Sequence, residues 1–156
     1  MDPYPLVKTL HIVSATILFG TGVGIANFMF FGHRSRLPQE RAFAARMTVQ
    51  ADLLFTLPAV ILQPLTGAWL VWHDGFPWND TWLLVTYGLY ALAGACWLPV
   101  VLIQMRMKTM LEAQAHGEPF DAATYNRLFR AWFALGWPAF VGLLVIFWLM
   151  VTKPTQ

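Results

Sequence analysis

The stretch VKTLHIVSATILFGTGVGIAN, residues 7–27, decides the fold class. It is apolar almost throughout, with one histidine, His11, near its start and glycines at alternate positions 20, 22 and 24. Three further apolar runs follow, so that the four runs cover residues 10–31, 53–72, 82–103 and 132–151. A helix needs about 20 such residues to cross roughly 30 Å of hydrocarbon. The sequence therefore predicts an all-α membrane protein with a single four-span domain over residues 1–156.

The composition also indicates a lipid environment. Of the 156 residues, 58% are hydrophobic and 12% are charged, whereas an ordinary soluble domain has about 25% charged residues. The first run is longer than the roughly 7–15 apolar residues of a signal peptide, and Lys8 is the one basic residue before it. We therefore expect the first run to be retained as a transmembrane helix.

The basic residues predict the orientation of the spans. Eight of the ten lysines and arginines lie between the first two runs or between the last two: Arg34, Arg36, Arg41, Arg46, Arg106, Lys108, Arg127 and Arg130. Cytoplasmic loops have such an excess of basic residues, so both termini are predicted to be non-cytoplasmic. This asymmetry accounts for the net charge of +2. No basic patch is interleaved with stacking aromatic residues, so no nucleic-acid partner is expected.

Cap residues predict where the helices begin and end. The second helix is expected to begin near Gln39, and the third to end at Gly117, because glycine is favoured just past a helix end. Asp121 is expected to be the N-cap of the fourth helix. The predicted architecture is a membrane four-helix bundle made of two long antiparallel hairpins.

His11 and Gly22 are predicted to share one face of the first helix, because eleven residues at 3.6 per turn return to nearly the same angle. Gly20 with Gly24, and Gly22 with Ala26, have the small-residue spacing of closely packed membrane helices. That face is therefore predicted to contact neighbouring helices, and an ionisable residue there is a candidate functional residue. The alternative is that His11 only donates to a carbonyl or contacts interfacial water.

The segment at residues 7–22, together with FMFFGHR at residues 28–34, is similar to the first helix of a membrane haem-protein superfamily. That superfamily includes the bacterial membrane protoporphyrinogen oxidase. The similar positions are Lys8, His11, Phe19 with Gly20, and His33. A closer resemblance, over nearly the whole chain, is to an uncharacterised family of predicted bacterial integral membrane proteins related to that oxidase. It is carried by ADLLFTLPAVILQPLTGAWL, residues 51–70, and WLLVTYGLYALAGACWLPVV, residues 82–101.

The resemblance implies a haem b group held by an axial histidine. His11 is the expected iron ligand, Gly22 leaves room beside a flat macrocycle, and Lys8 is placed to pair with a propionate. His73, on the same side of the membrane, is the candidate second ligand, and the alternative for it is an interfacial role. The oxidase group has a lysine in its third helix where Thr86 stands here, and a threonine hydroxyl is a poor iron ligand.

The other two histidines are not expected to bind the same iron. His33 lies 22 residues after His11, which is about 33 Å along a straight helix. His116 is expected to be a residue at the cytoplasmic end of the third helix. The haem hypothesis therefore depends on His11 and His73.

The polar residues within the second and third spans have simpler interpretations. Gln63 is expected to bond a carbonyl freed by a bend at Pro64, or else to face a cofactor or a substrate cavity. Asp52 and Asn27 are expected to bond across the first two helices. Tyr90 is expected to have an aromatic packing role.

The preferred functional hypothesis is a haem b-binding protein of the bacterial inner membrane with a redox or haem-handling role. If the protein is an enzyme, it would be a membrane haem oxidoreductase. The competing hypothesis is a cofactor-free packing or assembly subunit of a larger complex. A small transporter is disfavoured, because the spans lack the charged residues that usually mark an ion path. The expected partners are the lipid bilayer and either a second copy of the chain or a respiratory or haem-pathway protein.

Overall fold

The computed structural model describes residues 2–154. Helix α1 spans Tyr4–Arg34, α2 Pro38–Ala51, α3 Leu57–His73, α4 Thr81–Ala115 and α5 Ala122–Thr152. A π-helical turn over Asp52–Thr56 joins α2 to α3, so that Pro38–His73 is one continuous span. Four spans are long and apolar enough to cross a membrane, and the described residues contain no strand. The prediction of an all-helical, four-span bundle is therefore confirmed.

The helix ends follow from local sequence. Helix α4 ends at Ala115, and Gly117 has a φ of +84°, a left-handed conformation that favours glycine. The Asp121 carboxylate accepts a hydrogen bond of 3.0 Å from the Thr124 amide and caps α5. Hydrogen bonds from Thr124 hold the pKa of Asp121 below its usual range. The predicted glycine end and aspartate cap are both confirmed.

The outer surface of the spans is covered by large apolar side chains. Leu102 on α4 and Trp148 on α5 are each 68% exposed. Contiguous apolar surface of this extent is rare on soluble monomers. In a bilayer, these side chains contact lipid tails.

All four spans meet in a buried cluster near the arginine-rich ends. Met29 of α1, Ala45 of α2, Met107 of α4 and Tyr125 of α5 are each at most 2% exposed, and they belong to one hydrophobic cluster. We call these four residues the closed core. Interiors of this kind are close-packed, so a change in side-chain volume there is felt directly.

Close helix contacts occur at glycines other than those predicted. A Cβ atom added at Gly32 would lie 2.5 Å from the Ala44 Cβ, and one added at Gly67 would lie 3.2 Å from the His11 ring. The predicted close packing along the middle of α1 is wrong, because no atom lies within 4 Å of a Cβ added at Gly20, Gly22 or Gly24.

Candidate functional site

His11 lies in the seam between α1 and α3. Its Nδ1 is 2.8 Å from the hydroxyl of Thr66, and that hydroxyl donates to the Leu62 carbonyl at 2.7 Å. A carbonyl oxygen can only accept, so when the Thr66 hydroxyl donates to Leu62, Nδ1 of His11 carries its own proton. Nε2 of His11 then keeps the lone pair that a metal ligand needs.

Gln63 strengthens the same seam. Its Nε2 donates to the His11 carbonyl and to the Ser14 hydroxyl, each at 2.7 Å. Gln63 therefore joins α3 to α1, and the prediction that it bonds a carbonyl freed by Pro64 is wrong.

Tyr90 on α4 takes the role that was expected of Gln63. Proline has no amide proton, so Pro64 leaves the Val60 carbonyl without its helical partner. The Tyr90 hydroxyl donates to that carbonyl at 2.6 Å. Tyr90 therefore makes a hydrogen bond between α4 and α3 in addition to any packing role.

His73 and Lys8 both lie against Tyr4. The His73 ring stacks between Tyr4 and Trp69, with centroid distances of 5.0 and 4.8 Å. The Lys8 ammonium donates to the Tyr4 hydroxyl at 3.2 Å. His11, in contrast, contacts Thr66, which precedes His73 by seven residues, about 10.5 Å along a helix. The two histidine rings thus have different neighbours, and a shared iron stays a prediction.

The described residues contain no ready-made metal cluster. Within residues 2–154, no three His, Cys, Asp or Glu side chains are grouped so that they could hold a metal ion. His33 stacks on Phe129 with centroids 3.9 Å apart, and its Nδ1 is 3.4 Å from the hydroxyl of Tyr125 in the closed core. His116 is the exposed residue that follows α4.

Gly22 lines a cavity instead of the His11 seam. The cavity has a volume of about 360 Å³ and lies between α1, the π-helical turn, α4 and α5. Its wall is mainly apolar and contains seven aromatic side chains: Phe19, Tyr90, Trp97, Trp132, Phe133, Trp137 and Phe140. His11, Lys8 and His73 are not among its lining residues. The structure therefore separates Gly22 from the other three predicted site residues.

Polar side chains form one end of this cavity. Asp52 is 3% exposed, Thr56 5% and Gln104 2%, and all three line the cavity. One carboxylate oxygen of Asp52, Oδ1, accepts a hydrogen bond of 3.4 Å from the Trp97 indole. The other, Oδ2, has no hydrogen-bond partner within residues 2–154, and the same holds for Thr56 Oγ1 and Gln104 Oε1. The side chains of Thr56 and Gln104 interact with the Asp52 carboxyl group without reaching full hydrogen-bond geometry, and we call these three oxygen atoms the oxygen floor.

The π-helical turn places two members of the oxygen floor. Pro58 has no backbone N–H to donate. The preceding residue, Leu57, donates its backbone N–H to the Asp52 carbonyl, five residues earlier. The five-residue spacing of this hydrogen bond widens the helix for one turn. Such π-helical turns often occur at functional sites. Asp52 and Thr56 both face the interior as a result. The prediction that Asp52 bonds across the first two helices is wrong, because its partner is Trp97 on α4.

One comparison with known proteins gives a match. The sequence matches the family described as predicted integral membrane protein (DUF2269) over residues 5–154. No curated protein and no solved structure matches the chain. The match includes all four spans and every residue of the oxygen floor. The family description gives no evidence of a relationship to a haem-protein superfamily. The chain therefore belongs to the DUF2269 family of predicted integral membrane proteins.

Proposed function

We propose that this protein binds a small, mostly apolar molecule in the cavity between its spans. The observation that carries the proposal is Asp52, a buried carboxylate whose Oδ2 is unpaired within the described residues and lies on the cavity wall. Buried polar atoms normally have a hydrogen-bond partner, and an acidic residue inside a membrane span usually marks a functional site. A bound molecule would supply the missing partner.

The size and wall of the cavity support the same proposal. Its volume of about 360 Å³ falls within the roughly 300–1,000 Å³ of small-molecule sites. Such sites are mainly apolar, with a few polar groups that orient the ligand. Here the oxygen floor would orient the ligand, and the aromatic wall would contact its apolar part.

The proposal includes an orientation in the bacterial inner membrane. We place both termini on the non-cytoplasmic side and the arginine-rich ends in the cytoplasm, with the spans forming two antiparallel hairpins. Two contacts support opposite directions for α1 and α3: His11 bonds Thr66, whereas Ser14, further along α1, bonds the earlier Gln63. In this orientation the oxygen floor lies on the cytoplasmic side of the cavity.

Photolabelling of matched glycine variants tests the cavity. Gly20 and Gly22 are both on α1 and both have free space around an added Cβ, but only Gly22 lines the cavity. With a neutral aryl diazirine as the probe, we expect residue-level mass spectrometry to find label on Trp132, which lines the cavity and is buried from lipid. The Gly22→Leu variant should lose this label because its side chain fills the cavity, and Gly20→Leu should keep it.

Labelling of the lipid-facing Trp148 provides an internal control, since it should be equal in all three proteins. Equal labelling of Trp132 in the wild type and in Gly22→Leu would contradict the proposed function.

Haem b binding by His11 is a second candidate function. It is favoured by the contact with Thr66, since the Nδ1–H tautomer of His11 can donate to that hydroxyl and leave Nε2 free to bind iron. A hydrogen bond from the other ring nitrogen to a neighbouring oxygen orients histidines that bind a metal. Lys8, three residues before His11, would pair with a propionate, and His73 is the proposed second ligand. When bound, haem would supply redox chemistry, and the protein would hold it at the seam of α1 and α3.

A visible absorption spectrum separates this candidate from a packing or assembly role. Protein expressed with haem available should show a haem b spectrum that is lost in His11→Ala and kept in His116→Ala. Loss of low-spin character in His73→Ala would support a His11/His73 pair. A colourless wild type would contradict haem binding and leave His11 as a seam residue that joins α1 to α3.

A further inference from the structure

We infer that the molecule held in the cavity is a monocation, specifically an alkyl or aryl-alkyl amine whose ammonium group binds Asp52. This inference rests on the proposed function and specifies its ligand class. It follows from three properties of the cavity, namely the type of polar atom, the absence of a counter-charge on the wall, and the aromatic rings around it.

The unpaired atoms of the oxygen floor are a carboxylate oxygen, an amide oxygen and a hydroxyl oxygen. The first two only accept hydrogen bonds, and the third can accept as well as donate. An ammonium group has only donors, three in a primary amine. An ammonium group therefore complements Asp52, Thr56 and Gln104 better than a ligand group that only accepts, such as a carboxylate or phosphate.

The wall of the cavity offers Asp52 no positive charge. Among the described residues that line it there is no lysine, arginine or histidine. Arg41, on the preceding helix, is engaged elsewhere, since it donates to Gln114 and lies over the Tyr125 ring. A charge in an apolar interior is unfavourable unless it is paired, and an unpaired carboxylate there takes up a proton instead. A cationic ligand supplies the pair.

Aromatic rings adjoin the oxygen floor. Trp97 donates to Asp52, and Trp132 lines the same cavity with its indole N–H unpaired within residues 2–154. Cations are attracted to the faces of tryptophan rings, more strongly when desolvated. A bare metal ion could use the oxygen atoms but would leave most of the apolar volume empty, so an organic cation fits better.

Competition against the neutral diazirine probe tests the inference on the full-length protein. The competitors are 4-phenylbutylamine, the uncharged 4-phenylbutan-1-ol, the anion 5-phenylvalerate, and sodium chloride. We expect the amine to displace the probe from Trp132 at a concentration about tenfold lower than the alcohol, a difference of 1.4 kcal/mol. The anion and sodium chloride should not displace it. In Asp52→Asn, which preserves side-chain size, the amine and the alcohol should compete equally.

Each outcome has one meaning. Equal competition by amine and alcohol in the wild type, or displacement by sodium chloride, would overturn the amine inference and leave the proposed cavity intact. A preference for the amine that persists in Asp52→Asn would also overturn it. Labelling that Gly22→Leu does not reduce would overturn the proposed function itself. If Asp52→Asn does not fold, the wild-type comparison of amine with alcohol decides alone.

Discussion

The closed core and the cavity are built by the same four spans but in opposite ways. In the closed core, Met107 and Tyr125 are at most 1% exposed, and Gly32 of α1 lies directly against Ala44 of α2. At the cavity, a Cβ atom added at Gly22 would meet no neighbouring side chain or helix within 4 Å. Association of membrane helices depends on close van der Waals packing. The comparison therefore indicates that the closed core stabilises the bundle, while the cavity region is free to bind a ligand.

The largest effect is expected in the closed core. Met107 is fully buried, whereas Met105, two residues earlier on α4, is 49% exposed on the lipid side. Met107→Ala should lower the free energy of unfolding by about 2–4 kcal/mol, because it leaves a void in a close-packed core. Met105→Ala should change it by less than about 0.5 kcal/mol. Denaturant titration in mixed micelles measures the free energy of unfolding of both variants. Equal losses in the two variants would contradict a stabilising role for the closed core.

A smaller effect is expected when a single methyl group is added to α1. Gly32→Ala should lower the free energy of unfolding by about 1–3 kcal/mol, since its methyl group would overlap Ala44. Gly22→Ala should leave stability unchanged or raise it by up to about 1 kcal/mol, because alanine is the better helix former. The same denaturant titration measures both variants. A lower stability of Gly22→Ala would indicate that helices pack closely at the cavity.

The sequence predicted the spans well because span length and apolar content are properties of each segment alone. The cap residues Gly117 and Asp121 were predictable for the same reason, since each acts on its own backbone. Periodicity predicted that His11 and Gly22 share one face of α1, but it did not predict what that face contacts. Helix α1 packs on α3 at His11 and borders the cavity at Gly22, a change that one helix alone does not encode.

The Tyr90 hydrogen bond is expected to have a moderate effect. Tyr90→Phe should lower the free energy of unfolding by about 1 kcal/mol, because the Val60 carbonyl, already freed by Pro64, would lose its donor. Tyr87→Phe is the matched control, since Tyr87 lies on the same helix and is 41% exposed. An unchanged stability in Tyr90→Phe would mean that another donor reaches this carbonyl.

The smallest effect concerns the cap of α5 and depends on pH. The folded-state pKa of Asp121 is lowered by Thr124, so its contribution is present above the usual aspartate pKa of about 3.9 and is lost as pH falls through the lower folded value. Asp121→Ala should therefore have a slightly lower melting temperature than the wild type at pH 7. The two melting curves should converge in acid. A difference that persists unchanged at low pH would contradict a cap made by the ionised carboxylate.

The oxygen floor was harder to predict than the helices. Asp52 and Gln104 each lie about three to four turns from the arginine-rich end of their span, so a comparison of polar residues at equal depth would have paired them. The π-helical turn before Pro58 determines that Asp52 faces the cavity, and that turn changes the helical periodicity on which sequence interpretation relies. The unpaired Oδ2 depends on contacts between three spans, which periodicity does not give.

The central claim is that the middle of the bundle holds a ligand whose polar group reaches Asp52. Native mass spectrometry of the full-length protein extracted from membranes tests it most directly, with Gly22→Leu and Gly20→Leu as the matched pair. We predict that the wild type and Gly20→Leu retain the same bound small molecule and that Gly22→Leu lacks it. The same bound mass in all three proteins, or none in any, would contradict the account.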